Sequence, residues 1–140
     1  MDRQQLESKI EQALQANKFG SLATVENGGP KVRYMAIYHE GLSIYLATDR
    51  KTHKVEELKN NPKAALLLGY EQGGTGDVVE IEGEASVSDA QDLKSKVWRD
   101  DFKPYLSGPD DPDYVVIKLT PSRIEFAAKG SDRQVWTADK

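Results

Sequence analysis

The stretch KVRYMAIYHEGLSIYLATDRKTHKVEEL, residues 31–58, decides the fold class. Its first nine residues are rich in β-branched and aromatic side chains, Glu40-Gly41 is a tight turn, and residues 42–48 place Leu42, Ile44 and Leu46 on one face against Ser43, Tyr45 and Ala47. Two antiparallel strands follow from this. At Thr52 the period changes: Val55 and Leu58 are three apart, and the run stops at Asn60-Asn61-Pro62, as a short helix would.

Working outward, SLATV at residues 21–25 is joined to the strand at 31–39 through Glu26-Asn27-Gly28-Gly29-Pro30, a turn by composition, so a three-stranded meander is expected. Leu6, Ile10, Ala13 and Leu14 form the apolar stripe of an opening helix over 2–17. Towards the C-terminus, 64–70 reads as a buried strand, 71–77 as a glycine-rich turn, and 78–87 as a strand with an acidic outer face. Ser88 and Asp89 are candidate N-caps for a helix carrying Leu93, Val97 and Trp98. Two further strands, 114–119 and 123–128, are separated by Thr120-Pro121-Ser122. Residues 129–140 read as a polar tail, in which Trp136 stands out.

The pattern is mainly β with inserted helices (α+β): six or seven short strands in an antiparallel barrel or sandwich. The links at 26–30, 40–41 and 120–122 are too short for parallel crossovers. At 140 residues, one domain over 1–140 is expected, with 1–18 as its N-terminal helical segment.

Composition narrows the function. The formal charge is −4, from 19 Lys and Arg against 23 Asp and Glu, which disfavours a nucleic-acid role. Cys is absent, so thiol nucleophiles, disulfides and Cys-bearing metal sites are excluded. Only His39 and His53 offer imidazoles, which argues against a metal centre. No signal-peptide h-region or membrane-length apolar run is present, and a cytoplasmic protein without membrane partners is the expectation.

Two clusters suggest chemistry. At Thr48-Asp49-Arg50-Lys51-Thr52-His53-Lys54, basic side chains gather at a helix N-terminus, where the macrodipole opposes them. A bound anion reverses that sign, and free N–H groups, the Thr48 and Thr52 hydroxyls and Lys54 make a phosphate cradle; a solvated loop with Thr52 as a plain N-cap is the alternative. The two-residue period puts Arg33 on the face of Met35 and Ile37, where a guanidinium either snorkels or pairs with an anion. Tyr34, Tyr38 and Tyr45 fit a core more readily than an aromatic pocket, and Glu80, Glu82 and Glu84 fit a solvated strand face.

These residues also resemble a known family. From Phe19 to about Ala128, FGSLATV, PKVRYMAIY, IYLATDRKTHKVEEL with the following Asn61-Pro62, and GPDDPDYVVIKLTPSRIEF occur in the order of the pyridoxamine 5′-phosphate oxidase-like FMN-binding split barrels, particularly the general stress protein branch. The resemblance implies a split β-barrel whose FMN phosphate is held by Arg33, Thr48, Thr52 and Lys54, with His53 beside them. It places Tyr34, Met35 and Ala47 against the flavin ring. It further implies a homodimer with flavin at the interface, the partner contributing from around Trp98 or the 104–114 loop, and electron exchange between NAD(P)H and an unidentified acceptor. The tail GSDRQVWTADK lacks the Arg- and His-bearing ending of true pyridoxamine phosphate oxidases, so oxidase activity on the vitamin is not expected. Arg133 and Trp136 match only its residue types. A non-catalytic flavin-binding stress protein, a barrel using deazaflavin or haem, and a scaffold without ligand remain open alternatives.

Overall fold

The structure is a computed structural model that describes residues 1–69, 77–128 and 131–139; within these the side chain of His53 is also left undescribed. Helix α1 (Arg3–Ala16) begins with a capping box, Asp2 accepting from the Gln5 amide and the Gln5 side chain accepting from the Asp2 amide. Its stripe, Leu6, Ile10, Ala13 and Leu14, is fully buried, as the spacing required.

The strands are β1 (Phe19–Glu26), β2 (Gly29–Ala36), β3 (Tyr38–Glu40), β4 (Ser43–Asp49), β5 (Lys63–Leu68), β6 (Val78–Ser88), β7 (Tyr114–Ala127) and β8 (Gln134–Thr137). Helix α2 (His53–Asn60) follows β4, and α3 (Gln91–Val97) with a 3₁₀ turn (Asp100–Phe102) follows β6. All pairings are antiparallel, in the order β2-β1-β5-β6-β7-β4-β3, with β8 on β7. The glycine-rich turn expected at 71–77 lies outside the described residues except for Asp77.

The sequence-predicted meander is corrected at its third strand. β1 and β2 form a hairpin through Asn27 and Gly28, both at positive φ, the two-residue turn that suits twisted strands. However, β4 pairs with β3 and β7, not with β2. The run 31–39 is interrupted at Ile37, whose amide donates to the Lys18 carbonyl at 2.9 Å and whose side chain is buried. β2 and β3 are therefore the two ends of the sheet path, joined by one residue. That connection is possible only if the sheet curls until its ends meet, which gives a split half-barrel with its seam between β2 and β4.

The other corrections have local causes. Residues 114–127 are one strand, because Thr120-Pro121-Ser122 is a β-bulge and not a turn: Pro121 faces Gly83, Arg123 faces Glu82, and the extra Ser122 donates to the Glu82 carbonyl at 3.1 Å. A Cβ on Gly83 would lie 2.1 Å from the Thr120 carbonyl oxygen, so glycine is required at that approach. The polar tail forms β8, and Trp136 is buried, its indole N–H donating to Glu7 at 2.7 Å with Arg3 over its ring at 4.9 Å. Helix α3 starts later than expected, with Ala90 at the N-cap; the Ser88 hydroxyl accepts from the Ala90 amide and caps no helical N–H among the described residues.

The main core packs α1 against Leu22, Leu46, Ile81, Ile117 and Leu119, while a second cluster under α3 holds Tyr45, Val97, Leu106, Tyr114 and Val116. Tyr45 is a core residue as expected. Tyr34 is not: it is 75% exposed and stacks on Phe19 at 5.3 Å.

Candidate functional site

The seam is the candidate site. β2 carries Arg33, Tyr34 and Met35 along one wall, β4 carries Ala47 and Thr48 along the other, and the chain after β4 turns into α2 so that Thr52 and Lys54 close one end. A cleft of about 560 Å³ is lined by Arg33, Tyr34, Met35, Ala47 and Lys54. An adjoining cavity of about 240 Å³, sharing Ala47 and Lys54 with it, adds Thr48 and Thr52. The larger volume is in the range of small-molecule sites. Seven of the eight residues singled out from the sequence thus line two adjoining cavities. The eighth, His53, opens α2, and its side chain lies outside the described residues.

The expected basic cluster divides. Lys51 turns outward to Asp113 at 2.9 Å, and its amide donates to Asp49 at 2.8 Å. Arg50 is exposed, and Lys54 points inward. Lys54 is 7% exposed, forms no ion pair among the described residues, and has the Met35 thioether at 4.0 Å as its hydrogen-bonding neighbour. Burial lowers its pKa to about 8, with the Arg33 charge acting the same way and Glu26 and Asp49 pulling upward.

Thr52 is the N-cap of α2, yet its hydroxyl caps nothing. Its Oγ1 is buried and without a hydrogen-bond partner among the described residues. A buried orphan hydroxyl costs about 1–3 kcal/mol, and beside a helix N-terminus it is best relieved by an anion. Arg33 reaches across the β1–β2 hairpin, donating to the Thr24 hydroxyl at 3.0 Å and pairing with the Glu26 carboxylate.

Sequence reasoning missed two groups. Arg99, Phe102 and Tyr105 line the cleft from the same chain, in the region where a partner's contribution was expected. Arg99 is fixed by donating to the Ile37 carbonyl at 3.0 Å, and the aromatics of WRDDFKPY in so charged a segment were the available signal. Trp98 itself packs on Phe102 and Tyr114. Glu26, read only as a turn residue, is the second omission.

The remaining features do not join the site. Arg133 pairs with Glu125 and Glu80, and neither it nor Trp136 lines the cleft. His39 lines a separate cavity, hydrogen-bonded to Gln15 and the Gly41 carbonyl. A groove of about 450 Å³ on the sheet, lined by Lys63, Glu82, Glu84 and Ser122 among others, mixes both charges. No helix among the described residues is long and apolar enough to cross a membrane.

Comparison with known proteins agrees with this fold. General stress protein 26 of Bacillus subtilis (strain 168) is 40% identical over 136 residues, 96% of this chain and 97% of that protein. The crystal structure of general stress protein 26 from Bacillus anthracis str. Sterne superposes with a TM-score of 0.83 at 36% identity, covering 92% of this chain and 97% of that one. A Clostridium acetobutylicum protein related to general stress protein 26 gives 0.81 at 24% identity, covering 99% and 98%. More distant structures share the fold alone: a pyridoxamine 5′-phosphate oxidase-related, FMN-binding protein from Nostoc punctiforme (TM-score 0.73, 16% identity, covering 98% and 93%) and a haem-binding protein from Mycobacterium smegmatis (0.81, 17%, covering 99% and 60%). The family model for pyridoxamine 5′-phosphate oxidase matches residues 6–128, and the chain belongs to that family.

Proposed function

We propose that the seam binds FMN and that the protein passes electrons between a nicotinamide donor, NADH or NADPH, and an acceptor, in a stress-related role like that named for its relative. One observation carries the reading. Around Lys54, which lines both cavities, stand a buried amine with no paired carboxylate and a buried hydroxyl with no partner among the described residues, together with an Arg fork with N–H groups to spare. A phosphate ester satisfies all three, and the planar remainder of a flavin suits the cleft beyond.

In this reading Arg33 and Lys54 neutralise the phosphate charge, and the Thr48 and Thr52 hydroxyls hydrogen-bond its oxygens. Tyr34 and Met35 on one wall and Ala47 on the other confine the ring, while Phe102 and Tyr105 exclude water from its edge. When bound, FMN supplies the redox chemistry; the chain supplies position and electrostatics. His39 stands apart from the cleft and is not placed to ligate a haem there.

The exposed apolar strip Phe19, Val32 and Tyr34 on the hairpin beside the cleft supports homodimerisation through this edge. Gel filtration with light scattering tests that part: Val32→Glu is expected to give monomers, and a wild-type monomer overturns it.

The test of the site is titration of flavin fluorescence with FMN and with riboflavin, which lacks the phosphate. FMN is expected to bind at one per chain and more tightly than riboflavin. Arg33→Ala or Lys54→Ala is expected to weaken FMN at least tenfold, about 1.4 kcal/mol. Equal affinity for the two flavins, or none for either, overturns the reading. A visible spectrum, followed by reduction with NADH and NADPH, then tests electron transfer.

A further inference from the structure

Leu22, Thr24 and Glu26 lie two residues apart on β1, and burial marks theirs as the inner face of the hairpin: Leu22 is fully buried, Thr24 is 3% exposed, and the Glu26 side chain is 8% exposed. The cross-strand partner of Arg33 is Leu22, yet its guanidinium bonds Thr24 and Glu26. The side chain therefore runs along the inner face towards the turn. Glu26 forms no other side-chain bond among the described residues, and a carboxylate this buried is strongly disfavoured without a cation. The positive-φ pair Asn27 and Gly28 fixes the hairpin register and with it the place of Glu26.

We propose that Glu26 is a positioning residue for the anion site: its carboxylate, aided by the Thr24 hydroxyl, holds the Arg33 guanidinium in the cleft and leaves the other N–H groups of the fork for the phosphate. The inference rests on the FMN reading above. Glu26 lines neither cavity, and it acts through the bond it accepts from Arg33. An Arg held in one rotamer by two partners on a rigid hairpin loses less freedom on binding than a solvated one. The opposite role is also physically defined: a carboxylate on the same fork could compete with the phosphate, and its removal would then tighten binding.

A double-mutant cycle read as the ratio of FMN to riboflavin affinity separates these roles, because riboflavin reports the cleft without the phosphate. Glu26→Ala is expected to lower the ratio about tenfold while riboflavin affinity stays within about twofold. Glu26→Gln, whose amide oxygen accepts the same bond, is expected to retain the ratio. In an Arg33→Ala background, Glu26→Ala is expected to bring no further loss. An unchanged or increased ratio in Glu26→Ala overturns the proposal, as does an equal loss with and without Arg33. If Glu26→Ala fails to fold, Glu26→Met, which fills the space without accepting a bond, carries the same expectations. Wild-type protein that binds FMN no better than riboflavin overturns the anion site itself, and the proposal with it.

Discussion

The Lys54 amine and the Met35 thioether face each other across the seam at 4.0 Å, one from the first turn of α2 and the other from β2. Sulfur is a weak acceptor, so this contact does little to offset the desolvation of an ammonium. A site built this way holds a charge that its own structure does not balance, and binding should show it.

The first expectation is pH-dependent affinity. Below about pH 8 Lys54 is protonated before an anion arrives; above it, the amine must take up a proton to make the same contact. FMN affinity is expected to fall as pH rises from about 8 towards 10, while riboflavin affinity stays flat. Parallel titrations check this, and identical pH profiles for the two flavins count against Lys54 as the contact.

The same residue should trade stability for binding. Its folded pKa of about 8 lies below the ordinary 10.5, so the native state carries the full penalty of the buried charge below pH 8. The penalty fades as pH rises from about 8 to 10.5, where the folded amine is neutral and the unfolded one is still charged. Lys54→Met is expected to stabilise the ligand-free protein by about 1–3 kcal/mol at pH 7 and to lose phosphate recognition. Urea melts at pH 7 and pH 10 check it; the gap between variant and wild type should narrow at the higher pH.

At the bulge, Gly83→Ala drives a methyl group into the Thr120 carbonyl, and neither strand has a free direction in which to yield. A loss of about 2–3 kcal/mol in chemical denaturation is expected, with the FMN to riboflavin ratio unchanged, because the bulge lies outside the cleft.

Trp136 joins the two ends of the chain. It is buried beneath Arg3, which also donates to the Thr137 carbonyl at 2.8 Å. Trp136→Ala is expected to cost about 3–4 kcal/mol, and Trp136→Phe, which keeps the ring but drops the bond to Glu7, about 1–2 kcal/mol. Thermal melts check both; a change below about 0.5 kcal/mol in Trp136→Ala would show the tail to be dispensable.

The helix stripe of α1 and the strand alternation of β6 were legible because a single face of each decides its burial. The candidate site was legible where local chemistry was out of place: cations at the start of α2 and a cation on the apolar face of β2. Contacts between segments distant in sequence could not be read so directly. Nothing within 31–49 says that Ile37 ends one sheet edge and begins the other, since that depends on which strands β1 and β4 find elsewhere. Pro121 suggests a break unless Gly83 is known to face it, and a bulge across from glycine absorbs the proline that an ordinary ladder could not.

Glu26 and Tyr105 were missed for opposite reasons. Glu26 belongs to a sequence with every mark of a turn, and only the diagonal reach of Arg33 gives it a role. Tyr105 is 81% exposed and lies just beyond a 3₁₀ turn, so no periodicity marks the side it presents to the cleft.

The single-residue joint at Ile37 also sets an order of events. The β1–β2 hairpin needs only its own turn and can form early, but β4 is held by β7, so Thr48 waits for Val115 from the far end of the chain. During synthesis the first wall of the cleft can be in place long before the second, and until β7 emerges the inner face of the hairpin has no lasting cover. The cleft is thus among the last features to mature, and a chain truncated before residue 114 would lack the strand that holds its second wall.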